Sequence, residues 1–241
     1  MATQPTYPAR LEGVPNQPLS RWLWLVKWLL AIPHIVVLVF LWIGLVVTTI
    51  IAGFAILFTA HYPRPLFDYA VGVMRWTWRV DYYAIGAFAT DRYPPFTLRD
   101  DPSYPARFTV DYPERLSRGL VLVKWWLLAL PHLVIVGFFA GGWGWGGDGG
   151  WRIAGGGGLI SVLAIVAAVI LAVTGRYPAA LYDFILGLNR WCYRVLAYVA
   201  LLTDQYPPFR LDNGGPDPAG PVSGPVLPPA PSSLPTADRV G

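Results

Sequence analysis

Charge is scarce in this 241-residue chain: 13% of its residues are Asp, Glu, Lys or Arg, against about 25% in an ordinary soluble domain. Cysteine is nearly absent. The single Cys192 excludes an internal disulfide and a cysteine-rich metal site, and in its aromatic helical setting it reads as a buried, inert thiol. The sequence has no Ser-centred nucleophile elbow, no His-Glu-x-x-His, no dinucleotide fingerprint and no pair of carboxylates inside an apolar run. No catalytic residue, cofactor or metal is therefore expected, and the chain is read as a non-enzyme. Acids that could carry a coupling ion are missing from the apolar runs, which argues against a secondary transporter. Residues 1–20 are polar and Pro-rich, and the apolar run after them is too long for a signal h-region, so insertion without cleavage is expected.

Apolar residues are plentiful. They make up 55% of the chain, and 12 Trp, 13 Tyr and 11 Phe are among them. The mean hydropathy is +0.46. A chain this short cannot bury so much apolar surface in one aqueous core, which points to lipid as solvent. The net charge is +4, and the basic residues flank apolar runs. Anionic lipid headgroups, not nucleic acid, suit that placement.

The chain repeats itself. Leu19-Ser20-Arg21 and Leu25-Val26-Lys27-Trp28 recur as Leu116-Ser117-Arg118 and Leu122-Val123-Lys124-Trp125, and Pro33-His34 as Pro131-His132. Tyr62-Pro63, Asp68, Gly72, Arg75-Trp76 and Arg79-Val80 recur as Tyr177-Pro178, Asp183, Gly187, Arg190-Trp191 and Arg194-Val195. Thr90-Asp91 with Tyr93-Pro94-Pro95-Phe96 recurs as Thr203-Asp204 with Tyr206-Pro207-Pro208-Phe209. The offset is 98 at Pro33 and 115 at Tyr62. The 17 extra residues of the second copy coincide with the Gly/Trp run Gly141–Gly158.

That run separates two apolar segments, 119–140 and 159–174, each near the roughly 20 residues a helix needs to cross a bilayer. By homology the first copy holds spans at 22–43 and 45–60 joined by a tight turn near Gly44. Both flanks of the Trp22–Ala60 run are basic, with Arg10, Arg21 and Lys27 before it and Arg64, Arg75 and Arg79 after it. A hairpin puts all of these on one side. The positive-inside rule then makes both termini cytoplasmic and turns the Gly141–Gly158 loop outward. The expected fold is an all-α membrane protein of two tandem repeats, each a transmembrane helical hairpin plus an amphipathic interfacial helix. Its parts are a polar segment 1–18, repeat one over 19–98 with its interfacial helix at 65–90, a linker 99–115, repeat two over 116–211 with its interfacial helix at 180–203, and a disordered Pro/Gly-rich tail 212–241.

In those third helices Asp68, Gly72, Arg75 and Arg79 fall on one face, as do Asp183, Gly187, Arg190 and Arg194. Two arginines at the bilayer centre are costly, so the helix belongs in the interface, with Arg75, Arg79, Arg190 and Arg194 as lipid-binding candidates. Packing of the stripe on the chain's own hairpin is the plainer alternative, and a third crossing would give six spans.

His34 and His132 lie half-way along the first span of each repeat. Parallel repeats about an axis along the membrane normal would let the two imidazoles approach one another and ligate a haem or metal, or relay protons. The simpler reading bonds each to a carbonyl freed by its neighbouring proline. Lys27 and Lys124 either snorkel to headgroups or pair with Asp68 and Asp183. The Tyr-Pro-Pro-Phe segments read as fixed exit turns, 107–111 as a weak short strand, and the Gly141–Gly158 loop as flexible.

Leu25-Val26-Lys27-Trp28-Leu29-Leu30-Ala31-Ile32-Pro33-His34, the Tyr-Pro-x-x-Leu-Phe/Tyr-Asp block, Arg-Trp-x-x-Arg-Val and Thr-Asp-x-Tyr-Pro-Pro-Phe resemble the bacterial membrane proteins grouped as domain of unknown function 4389. The resemblance covers about 19–98 and 116–211 and implies a bacterial cytoplasmic-membrane protein; it brings no catalytic residue with it. The functional expectation is a scaffold or accessory subunit that engages anionic lipid and a membrane-protein partner. The alternatives are a small-molecule or lipid carrier using the cleft between repeats, and a haem- or metal-binding protein using the paired histidines.

Overall fold

The computed structural model describes residues 7–16, 18–141, 144–145, 151–152, 158–209 and 211–212. The expected disorder of the tail, and most of the Gly141–Gly158 loop, lie outside these. The elements are β1 (Ala9–Gly13), α1 (Trp24–Thr59), α2 (Arg64–Val80), β2 (Ala106–Val110), α3 (Arg118–Val123), α4 (Leu130–Ala140), β3 (Gly144–Trp145), β4 (Trp151–Arg152), α5 (Leu159–Thr174) and α6 (Ala179–Val199). Single π-helical turns follow α2 (Asp81–Ile85) and α3 (Lys124–Leu128).

α1 corrects the expected hairpin. It runs unbroken for 36 residues through Gly44, and is the one helix among those described that is long and apolar enough to cross a membrane. Gly44 serves another purpose. The Tyr69 hydroxyl closes on the helix there and donates to the Leu41 carbonyl at 3.0 Å, so the missing side chain admits α2. α1 ends where Ala60 turns left-handed, with φ 61°, and Pro63 prevents continuation.

Repeat two cuts the same helix twice. A π turn precedes Pro131, and the insertion departs at Gly141. A Cβ on Gly158 would collide with the Phe139 carbonyl and the Gly141 amide, so the chain leaves α4 and enters α5 at nearly one point. Within the insertion β3 and β4 pair antiparallel.

β1 and β2 form an antiparallel pair with Leu11 opposite Phe108. Tyr7-Pro8-Ala9-Arg10 recurs as Tyr104-Pro105-Ala106-Arg107, 97 residues on, so each repeat begins upstream of Leu19 and Leu116. Segment 1–18 and linker 99–115 therefore hold the first strands of the repeats. Leu11 and Phe108 are equivalent residues that face each other, which places them on an approximate twofold axis.

Other contacts are reciprocal in the same way. The Tyr7 hydroxyl donates to the Gln205 carbonyl at 3.0 Å and reaches the Arg194 carbonyl at 3.5 Å. Tyr104, its equivalent, reaches those of Arg92 at 3.1 Å and Arg79 at 3.5 Å. The rings of Trp78 and Tyr193, also equivalent, meet at 5.6 Å. Reciprocal use of one surface by two copies is what a twofold produces.

α2 and α6 form the core on this axis. From Ala70 to Val80 nearly every α2 residue is buried, as are most from Ile185 to Tyr198 in α6. This corrects the expectation of interfacial helices, because both faces of each helix are covered by protein. α1 buries a narrow line (Lys27, Ala31, His34, Leu38, Leu45, Thr48, Ala52, Ile56) and leaves the rest of its apolar surface exposed.

Candidate functional site

The arginine stripes point inward. Arg75 donates to the carbonyls of Phe108 and Leu98, both at 3.0 Å. Arg190 uses the equivalent atoms on the carbonyls of Leu11 at 3.0 Å and Asp212 at 2.8 Å. Each repeat's arginine thus binds the strand of the other repeat. Arg79 donates to the Thr97 and Arg99 carbonyls, and Arg194 pairs with Asp212 at 2.6 Å. Arg79, Arg190 and Arg194 are 0–2% exposed. The lipid-binding assignment of Arg75, Arg79, Arg190 and Arg194 is therefore corrected: their guanidinium groups turn into the protein, onto backbone carbonyls for the first three and the Asp212 carboxylate for Arg194. Gly72 belongs to the same device, since a Cβ there would lie 2.9 Å from that of Leu98. Asp68, on the same stripe, is exposed.

Lys27 and Lys124, each 1% exposed, do not pair with Asp68 and Asp183. Lys27 donates to the Thr90 carbonyl at 2.6 Å and pairs with Asp91 at 2.8 Å. Lys124 makes the equivalent contacts with Thr203 and Asp204, both at 2.7 Å. Each aspartate also caps the helix start by accepting from the amide of Ser20 or Ser117 at 2.6 Å.

Each histidine is boxed within its own repeat. His34 stacks on Phe96 at 3.9 Å between centroids, with Tyr93 at 4.8 Å. Its Nδ1 accepts from Trp76 Nε1 at 3.0 Å, so the neutral ring carries its proton on Nε2. His132 has the same box of Trp191, Tyr206 and Phe209. For His34 the partner is a tryptophan, not a proline-freed carbonyl, whereas His132 contacts Trp191 through its ring alone; aromatic rings enclose each imidazole where a facing histidine was expected. Among the described residues no group of three metal-ligating side chains converges.

Asp81 is an acid without an acidic counterpart in the other repeat. It opens the π turn after α2, and Tyr193 of the other repeat donates to it at 2.8 Å. Its equivalent in repeat two is Leu196. Burial pushes the Asp81 carboxyl up to about 6, against the pull of the tyrosine hydrogen bond. Burial likewise pushes the Cys192 thiol up to about 12, which keeps it inert at neutral pH.

Between the repeats lies an apolar cleft of about 700 Å³, lined by Trp42, Gly53 and Phe54 of α1, Val121 of α3, and Leu196 and Leu201 at the end of α6. Its lining is almost wholly apolar. Sequence reasoning missed Tyr7, Tyr104, Asp91, Asp204 and Asp212 as structural partners. The repeated Tyr-Pro-Ala-Arg was the available signal for the first two.

No curated protein and no solved structure matches the chain. A family model described as a domain of unknown function, DUF4389, matches residues 21–97 and 156–210. The second segment begins near the end of the Gly/Trp run and covers the part of copy two that follows it. With more than half of its length matched, over copy one and the C-terminal part of copy two, the chain belongs to the DUF4389 family.

Proposed function

We propose that the protein is a non-enzymatic scaffold or accessory subunit of a bacterial cytoplasmic-membrane assembly, held by anionic lipid. The observation that carries this reading is how its polar and apolar groups are divided. The buried lysines are engaged in bonds within their own repeat, and Arg75 and Arg190 bond the strand of the other repeat. Long apolar faces of α1 and α5, with Phe40, Phe54, Phe58 and Val173 more than 60% exposed, are left for lipid or a partner. Exposed patches of this extent mark membrane or protein interfaces. Arg21, Arg64, Arg115, Arg118 and Arg176 at the helix ends are exposed and take over the role of anionic-lipid ligands from the stripe.

Native mass spectrometry of the protein extracted from its own membrane tests this. A partner polypeptide at fixed stoichiometry, with retained anionic phospholipid, is the expected result. A lone, lipid-free chain released from membranes by carbonate would end the reading. The cleft supports a second reading, a carrier of a lipid or small apolar molecule. A lone chain retaining one such molecule, lost in a Gly53→Trp variant that fills the cleft, would favour it.

A further inference from the structure

The internal twofold fixes how α1 lies relative to the symmetry axis, and from that how the molecule sits in a membrane. A twofold rotation leaves height along its axis unchanged, so equivalent residues of the two repeats stand at equal height. Trp24 and Val121 are equivalent, and so are Leu19 and Leu116.

Yet Val121 packs at Gly53, where a Cβ would lie 3.7 Å from its Cγ1. The Leu116 amide donates to the Ala60 carbonyl at 2.9 Å, and a Cβ on Gly175, the equivalent of Ala60, would lie 2.5 Å from Arg21. Residues 24 and 53 therefore differ in height by no more than a side-chain contact, although about 43 Å of helix separates them at 1.5 Å per residue. α1 is within about 10° of perpendicular to the axis, by the same helical rise.

The axis leaves the molecule through the β1–β2 pair. Ala9, Leu11, Ala106 and Phe108 face inward there, while Arg10, Glu12 and Arg107 face out. Arg10 pairs with Asp111 and Arg107 with Asp100, and the two aspartates are 59% and 33% exposed.

If α1 crossed the bilayer, the axis would lie in the membrane plane and this charged face would meet lipid near mid-depth. A charge there costs about 2.5–3.5 kcal/mol or more. The length of α1, about 54 Å, also exceeds a hydrocarbon core of about 30 Å.

We propose, building on the membrane reading above, that the protein lies in one leaflet. The axis follows the membrane normal, the β1–β2 face points to water, and α1 runs in the membrane plane with the α3–α5 helix antiparallel to it. Both ends of these helices then carry exposed arginines at the same headgroup surface. The basic residues on both flanks of the Trp22–Ala60 run, which suggested a hairpin, are on one side because the helix never crosses.

Three exposed positions test this in a Cys192→Ala background: Val14→Cys, His61→Cys and Ile43→Cys. The full chain is made in cells, and a membrane-impermeant maleimide is applied to sealed inverted and right-side-out vesicles. Val14→Cys and His61→Cys are expected to react from the same single side, and Ile43→Cys from neither until detergent is added. Reaction of Val14→Cys and His61→Cys from opposite sides shows one crossing and overturns the proposal. Reaction of Ile43→Cys from the side opposite the other two restores the hairpin and overturns it equally. Release of the unmodified protein by carbonate would instead end the membrane reading itself.

Discussion

Ala60 and Gly175 hold the same place in the two repeats, and both are left-handed, at φ 61° and 71°. Glycine is at ease there and alanine is not. Ala60→Gly is expected to stabilise the protein by roughly 0.5–1 kcal/mol, seen as a higher unfolding temperature in detergent. Asp81 gives a pH-dependent counterpart. A carboxyl whose folded pKa is raised contributes stability that is whole below the unfolded value of 3.8 and lost as pH climbs through about 6. The unfolding temperature should fall between pH 4 and 7.5. Asp81→Asn, which still accepts from Tyr193, should flatten that slope and exceed the wild type at pH 7.5 by about 1–2 kcal/mol. A parallel slope in both proteins would reject the assignment. Single residues were only partly legible in the sequence. The buried Lys27 and Lys124 could be seen to need acids, but Asp91 and Asp204 lie far along the chain, beyond the reach of helical spacing.

At the scale of elements, the long helices and their order were legible, because apolar runs and prolines mark them. β1 was not, since five residues with alternating burial inside a polar segment leave too little pattern to separate strand from loop. The hairpin expectation failed for a related reason: length suggested two spans, and nothing in an all-apolar run reveals which surface a partner covers. The stripe arginines were seen as a face but not assigned their acceptors, which for Arg75 and Arg190 include a strand carbonyl of the other repeat. Arg190→Ala should remove the bond to the Leu11 carbonyl of the other repeat's strand and cost about 2–4 kcal/mol. Arg118→Gln, on the exposed rim, should leave stability within about 0.5 kcal/mol and weaken binding to anionic vesicles. Equal stability loss in the two variants would contradict the division between buried and rim arginines.

At the scale of the whole molecule, duplication was plain in the sequence but the symmetry was not. A repeat states that two halves are alike; it does not say whether they stack in one direction or turn on a twofold. Only the antiparallel pairing of Leu11 with Phe108 and the meeting of Val121 with Gly53 decide this. They set α1 across the axis, and the charged sheet face supports the proposal that the axis follows the membrane normal. The most direct test is the depth of nitroxide labels along exposed α1 positions in lipid vesicles, read by accessibility to oxygen and to a polar nickel reagent. Leu25, Ile32, Val36, Ile43, Ile50 and Phe58 are suitable, each at least 44% exposed. An in-plane helix predicts depths that oscillate with the helical period about one constant mean from end to end. Depth that changes steadily by about 1.5 Å per residue, reaching the bilayer centre and rising again, would show that α1 crosses the membrane and would contradict the account.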